Sequence, residues 1–169
     1  REAKNAPTSR NCVLVYRALE DHLDTISRNG NEFMQFAIDD NAYQVAFTAE
    51  RDSSAKSLRK FYKLWYWKNG MDSAIILSDF HTAGMKIGWT VSQNAALEFS
   101  KSGQRLFFGT SPIRAPRDTS LSDIDMVKLD VWHYNDDYLQ PQQLRNLDRE
   151  LKRSYRAMYD FTWSRMVQL

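Results

Sequence analysis

Apolar and polar positions along this chain fall into short runs punctuated by turn residues, and the period of each run predicts an element. Residues 12–16, Cys-Val-Leu-Val-Tyr, make a compact apolar stretch of strand length that ends on Arg17. Leu19, Leu23 and Ile26 follow at helical spacing, and Asn29-Gly30 predicts the end of that helix. Residues 31–50 read two ways. Phe33, Phe36, Ala37 and Ile38 fit a short helix, whereas residues 43–47 alternate like a strand. Over 53–69 the pattern predicts a helix capped by Ser53 or Ser54, with Leu58, Phe61, Tyr62 and Trp65 on one face and Gly70 as terminator. Residues 74–77 and 106–108 read as buried strands, and 126–132 as an alternating one. From Pro141 the stripe of Leu144, Leu147, Leu151, Tyr155 and Met158 predicts one long helix to the end of the chain.

Two stretches carry candidate chemistry. Residues 88–99 read as a short strand holding Trp89, Thr90 and Ser92, followed at once by a helix that Ser92 caps and Ala95, Ala96 and Phe99 line. Hydroxyls beside the free amides of a helix start suit a polar or anionic ligand, although an ordinary capped helix has the same pattern. Asp123 and Asp125, two apart before residues 126–132, share one strand face. Neighbouring carboxylates push each other's pKa apart, which serves acid–base work; as edge charges they would guard against strand pairing.

Composition narrows the classes. Of the 169 residues 43% are hydrophobic and 13% aromatic, enough for a packed core in one domain. A net charge of +2 points by itself to neither a nucleic acid nor a membrane. No apolar run approaches the ~18 residues of a membrane span, and no signal peptide is visible. With a single cysteine, Cys12, there is no disulfide framework, and His22, His81 and His133 lack metal-ligand spacing, so no metal is expected. The one basic feature with aromatic interleaving is the predicted 53–69 helix. There Lys56, Arg59, Lys60, Lys63 and Lys68 alternate with Phe61, Tyr62, Trp65, Tyr66 and Trp67, as a single-stranded nucleic acid site would require and as a solvated amphipathic helix would also show.

Val15-Tyr16-Arg17 followed by a helix, then Thr90-Val91-Ser92 followed by Ala95, Ala96 and Phe99, then the acidic pair Asp123 and Asp125, resembles in its order the mono-ADP-ribosyltransferases of the Arg–Ser–Glu type. The resemblance spans roughly residues 13–131. It implies an α+β fold, a split and mostly antiparallel β core with flanking helices, binding NAD as substrate. By the same resemblance Arg17, beside Tyr16, would support the NAD phosphate and ribose. Ser92, with Thr90, would position the nicotinamide ribose, Asp125 would be the catalytic acid and Asp123 its assistant; Trp89 or Tyr66 would stack on a ring. The family carries Glu where this chain has Asp125, Ser where it has Thr90 and Thr where it has Val91. It further implies transfer of ADP-ribose to a protein or nucleic-acid acceptor, in the cytoplasm or as an effector or toxin delivered into a host cell.

The expected organisation is an arm over 1–11, a transferase-like domain over 12–139 and a C-terminal helix over 140–169 packed on it. Two other readings accompany the enzyme. One is a protein-interaction module on the same fold whose catalytic carboxylate is lost, docking a partner through the 62–67 surface or the C-terminal helix. The other is a nucleic-acid-binding domain using the 53–69 helix and the basic side of the last helix.

Overall fold

A computed structural model of the chain describes residues 11–53, 57–116 and 133–169. They divide into two compact units, one built from the chain up to Ile113 together with Ser154–Leu169, the other from Arg114–Arg153. Among the described residues 46% are in strands and 9% in helix, with one helix of seven or more residues. The fold is therefore sheet-rich. The helix-flanked α+β architecture with a long C-terminal helix, expected from the sequence, is not what the chain adopts.

The larger unit opens with a hairpin of β1 (Asn11–Arg17) and β2 (His22–Gly30). One residue later the chain enters a four-stranded sheet, in the order β3 (Glu32–Ile38), β4 (Gln44–Glu50), β5 (Lys63–Lys68), β6 (Ile75–Ser78). A second sheet holds β7 (Trp89–Val91), β8 (Glu98–Phe99), β9 (Arg105–Pro112), β10 (Tyr155–Asp160) and β11 (Arg165–Gln168). Its path runs β11-β10-β9-β7, and β8 also pairs with β9. Every strand pair among the described residues is antiparallel.

The four-stranded sheet is the middle layer, and β4 explains why. Its residues from Val45 to Glu50 are all buried, because successive side chains point to opposite faces and both faces are covered. Val45, Phe47 and Ala49 pack with Val13 and Ile26 of the hairpin and with Trp67 and Ala74. Ala46, with Leu64 of β5, packs against Val91, Leu97, Leu106, Phe108, Ala157 and Met166 of the second sheet. Gly30, at the corner where β2 passes into β3, lies so close to the Phe33 ring that a β-carbon there would collide with it.

Three predicted helices, and the stretch at 33–38 that read two ways, are strands, turns or irregular chain. The stretch after Arg17 turns through residues 18–21 and returns as β2; Asp21 and Asn29, at φ 45° and 61°, take the left-handed conformation that short polar side chains tolerate. Residues 33–38 form β3, with Gln35 at φ 50° beside a register shift between Met34 and Ala37. Of the predicted 53–69 helix, residues 54–56 lie outside the described ones, and residues 57–62 are an irregular run leading into β5. Its aromatic residues favour a pleated surface, and a strand covered on both faces carries large side chains on both. After Ser92 the chain makes a turn and reaches β8, with no helix.

The C-terminal helix is cut to α1 (Gln140–Leu151), which starts with Pro141 in its first turn and belongs to the smaller unit. Beyond Arg153 the residues predicted to continue it form β10 and β11. Tyr155, Met158 and Leu151 satisfy helical spacing, but Ala157 and Tyr159 alternate equally well. Pairing with β9 on one side and β11 on the other decides the matter. The runs at 12–16 and 106–108 are strands as the pattern predicts, those at 43–47 and 74–77 become strands from Gln44 and Ile75, and the strand expected over 89–92 ends at Val91. The strand predicted at 126–132 and the acidic pair Asp123 and Asp125 lie outside the described residues.

Candidate functional site

Of the described residues singled out from sequence, Tyr16 and Arg17, Trp89 and Thr90, and Tyr66 fall on three separate sheets. Trp89 and Thr90 sit on β7, opposite Pro112 and Ser111 of β9. The Trp89 ring packs on Tyr155, centroids 4.8 Å apart, with the Lys86 ammonium 4.8 Å from its centre. Thr90 Oγ1 is buried with no hydrogen-bond partner among the described residues. Ser92 is 1% exposed. Its backbone amide donates to Gly109, its hydroxyl lies 2.6 Å from that of Ser154, and it accepts from the Asn94 amide at 3.2 Å. The hydroxyl thus holds a turn together, the local role that serine plays in place of a helix cap.

Tyr16 and Arg17 belong to β1. The Tyr16 hydroxyl donates to Asp21 at 2.9 Å. Arg17 is enclosed by acceptors: Nη1 is 2.5 Å from Glu20 and 3.2 Å from Asn69 Oδ1, and Nε is 3.0 Å from Asp24. Nε and the facing Asp24 oxygen approach without an aligned hydrogen bond, so that contact is one of charges. The structure gathers Trp89, Thr90 and Ser92 on one strand and its exit, and Tyr16 and Arg17 on another, and does not bring the two sets to one site.

A groove runs along β1. It has a volume of about 770 Å³ and is lined by residues 12–20 on one side and by Phe36, Ile38, Tyr43 and Val45 on the other, with Asn69 at one end. Beneath it β1 presents Val13 to the core. Above, Leu14 is 48% exposed, Phe36 53% and Ile38 62%, an open apolar surface on two strands, β1 and β3. β1 hydrogen-bonds as a strand only to β2, and β3 only to β4, so each carries an edge without a strand partner among the described residues. Alternate backbone N–H and C=O groups of such an edge point outward. The ladder is irregular near Asn11/Cys12 and Val13/Leu14 and regular from Leu14 to Arg17.

Three turns meet at the Arg17 end. Arg17 donates to Asn69 in the β5–β6 turn, and the Asn69 amide donates to the Tyr43 carbonyl, at 2.8 Å, in the β3–β4 turn. Asp39 makes the β3–β4 turn rigid by accepting from the Tyr43 and Gln44 amides at 2.8 and 2.7 Å. Behind it the Tyr66 hydroxyl donates to Gln44 Oε1 at 2.7 Å. Burial, and then the charge of Asp39, push the Tyr66 pKa up to about 12. The groove therefore has a fixed end and an apolar length.

The surface expected over residues 62–67 does not exist as one. Tyr62, Leu64, Tyr66 and Trp67 are all buried, and Lys60 and Lys63 pair with Glu32 and Asp52. In the smaller unit α1 keeps an apolar stripe, Leu144, Leu147 and Leu151, that is exposed, and it buries no residue. The groove residues Leu14, Phe36, Ile38 and Tyr43 were not among the candidates drawn from sequence. Their signal was present: a strand packed on one face needs one apolar parity, and residues 12–16 carry both. Among the described residues no group of three or more His, Cys, Asp or Glu side chains is placed to hold a metal ion. Comparison with protein-family models, with curated proteins and with solved structures gives no match.

Proposed function

We propose that this chain is a protein-interaction module that takes up an extended peptide segment of a partner in the groove beside β1. The observation that carries the reading is the coincidence of an unpaired strand edge with an exposed apolar floor made by Leu14, Phe36 and Ile38. Strand addition draws affinity from main-chain hydrogen bonds and specificity from alternate side chains set into the floor. A seven-residue edge spans roughly 23 Å, which matches a short peptide better than a compact metabolite. The NAD-dependent reading asks Arg17 to offer its guanidinium to a phosphate. Here that group is taken up by Glu20, Asp24 and Asn69, and it lends that reading no support.

The test is selection of phage-displayed random dodecapeptides on the immobilised chain, followed by hydrogen exchange of the chain with and without each enriched peptide. Peptides of alternating apolar residues that slow exchange of the β1 amides support the module. Enriched peptides that leave the β1 amides unchanged, or no enrichment, would remove it.

A further inference from the structure

The three turns that close one end of the groove carry an excess of carboxylates. Glu20, Asp21 and Asp24 lie on the β1–β2 turn and the start of β2, Asp39 and Asp40 on the β3–β4 turn, and Asp72 on the β5–β6 turn. Arg17 and Lys68 are the only Lys or Arg in the same stretches, 17–24, 39–44 and 68–74. Arg17 is already engaged by Glu20 and Asp24. Asp39 Oδ1 accepts from the amides of its own turn, and Oδ2 lies 3.4 Å from the Gln44 side-chain nitrogen. Asp40 and Asp72 are exposed and have no ion-pair partner among the described residues. The opposite end of β1 begins at Asn11, whose side-chain amide donates to the Asn31 carbonyl. The groove is thus apolar along its length and negative at the Arg17 end.

Resting on the peptide-docking reading, we infer that the partner segment is cationic at one end: one or two Lys or Arg immediately N-terminal to a run of alternating apolar residues. The direction follows from the strand. β1 runs toward the acidic turns, and antiparallel addition, the commoner pairing, brings the N-terminal side of the incoming strand there. The charge acts across an exposed, solvated mouth, so it steers encounter and selects the partner while the apolar floor supplies the hold.

The sequences enriched from the same display selection give one readout. Lys or Arg N-terminal to the alternating run is the expected result. Alternating apolar peptides that protect β1 but carry no flanking basic residue would overturn the charge inference and leave the docking reading standing. Peptides with the basic residues at the C-terminal side would overturn the antiparallel direction. The second readout is the double variant Asp40→Asn with Asp72→Asn, two exposed changes that leave the core untouched. It should weaken binding of the enriched basic peptides by roughly 2- to 10-fold, the scale of exposed ion pairs. Binding of the same peptides with lysine replaced by serine should not change. Equal loss for both sets, or none for either, would overturn the inference.

Discussion

Arg17 Nη1 donates to Asn69 Oδ1 at 3.2 Å, joining a hairpin to a turn 52 residues further along the chain. The same guanidinium meets Glu20 and Asp24, so one side chain ties the β1–β2 hairpin both to itself and to the β5–β6 turn. Replacing it with alanine leaves Asp24, whose side chain is 26% exposed, without the guanidinium and with the His22 ring 3.1 Å from its other oxygen. Arg17→Ala is expected to lower unfolding stability by about 1–2 kcal/mol, a range that allows for the solvent screening of partly exposed charges. A urea titration reads this, and an unchanged midpoint would mean the contacts are not formed in solution.

Gly109 and Ala95 make a closer relationship. A β-carbon at Gly109 would collide with that of Ala95 and stand 3.1 Å from that of Ser154. Gly109→Ala is therefore expected to cost about 1–3 kcal/mol by overpacking. Adding Ala95→Gly should recover part of the loss, a coupling that a double-mutant cycle measures directly.

Acid should destabilise the protein through two turn carboxylates. Burial would raise the Glu50 pKa, but the bonds it accepts from Ser53, Asn31 and Asp52 prevail and hold it below its ordinary 4.5. Asp160 is governed in the same way: burial is outweighed by the amides of Trp163 and Thr162 and by Arg105, which hold it below 3.8. Groups whose pKa is depressed on folding stabilise fully above the unfolded value, and that contribution is lost as pH falls through the folded one. The urea midpoint should drop as pH is taken below about 4.5, and Glu50→Gln should flatten the upper part of that drop.

At the alkaline end the sign reverses. Tyr66, raised from 10.0 to about 12, favours folding while neutral, and the advantage declines as pH rises above 10.0. Tyr62, buried and donating to Glu32, is pushed up as well, so an ultraviolet titration should show two tyrosines ionising late, and Tyr66→Phe should remove one of them.

The exposed positions of the groove separate docking from stability. Leu14→Gln and Ile38→Thr change side chains that are 48% and 62% exposed, so each should shift stability by no more than about 0.5 kcal/mol. Each should nonetheless weaken the β1-protecting peptides, as read by fluorescence anisotropy. Unimpaired binding in both variants would place those peptides elsewhere on the surface.

The chain by itself determined its strands, to within a residue at their ends, where apolar runs were short and bounded, at 12–16, 43–47, 74–77, 89–92 and 106–108. That information is local: β-branched and aromatic residues between turn signals favour extension whatever lies beyond them. Helical spacing was a poorer guide, because a strand covered on both faces is apolar at every position and so satisfies any period. Residues 63–68 and 155–160 took their conformation from neighbours far along the chain. β5 is fixed by β4 and β6, and β10 by β9 and β11, and no local window contains those partners. The candidate site divides in the same way. Arg17 at a strand end was legible in the sequence, but its acidic partners and Asn69 were not connected to it there. Only the folded chain sets Phe36, Ile38 and Tyr43 across from Leu14 and gathers three turns at one end, because a groove is a relation between strands and no one of them encodes it.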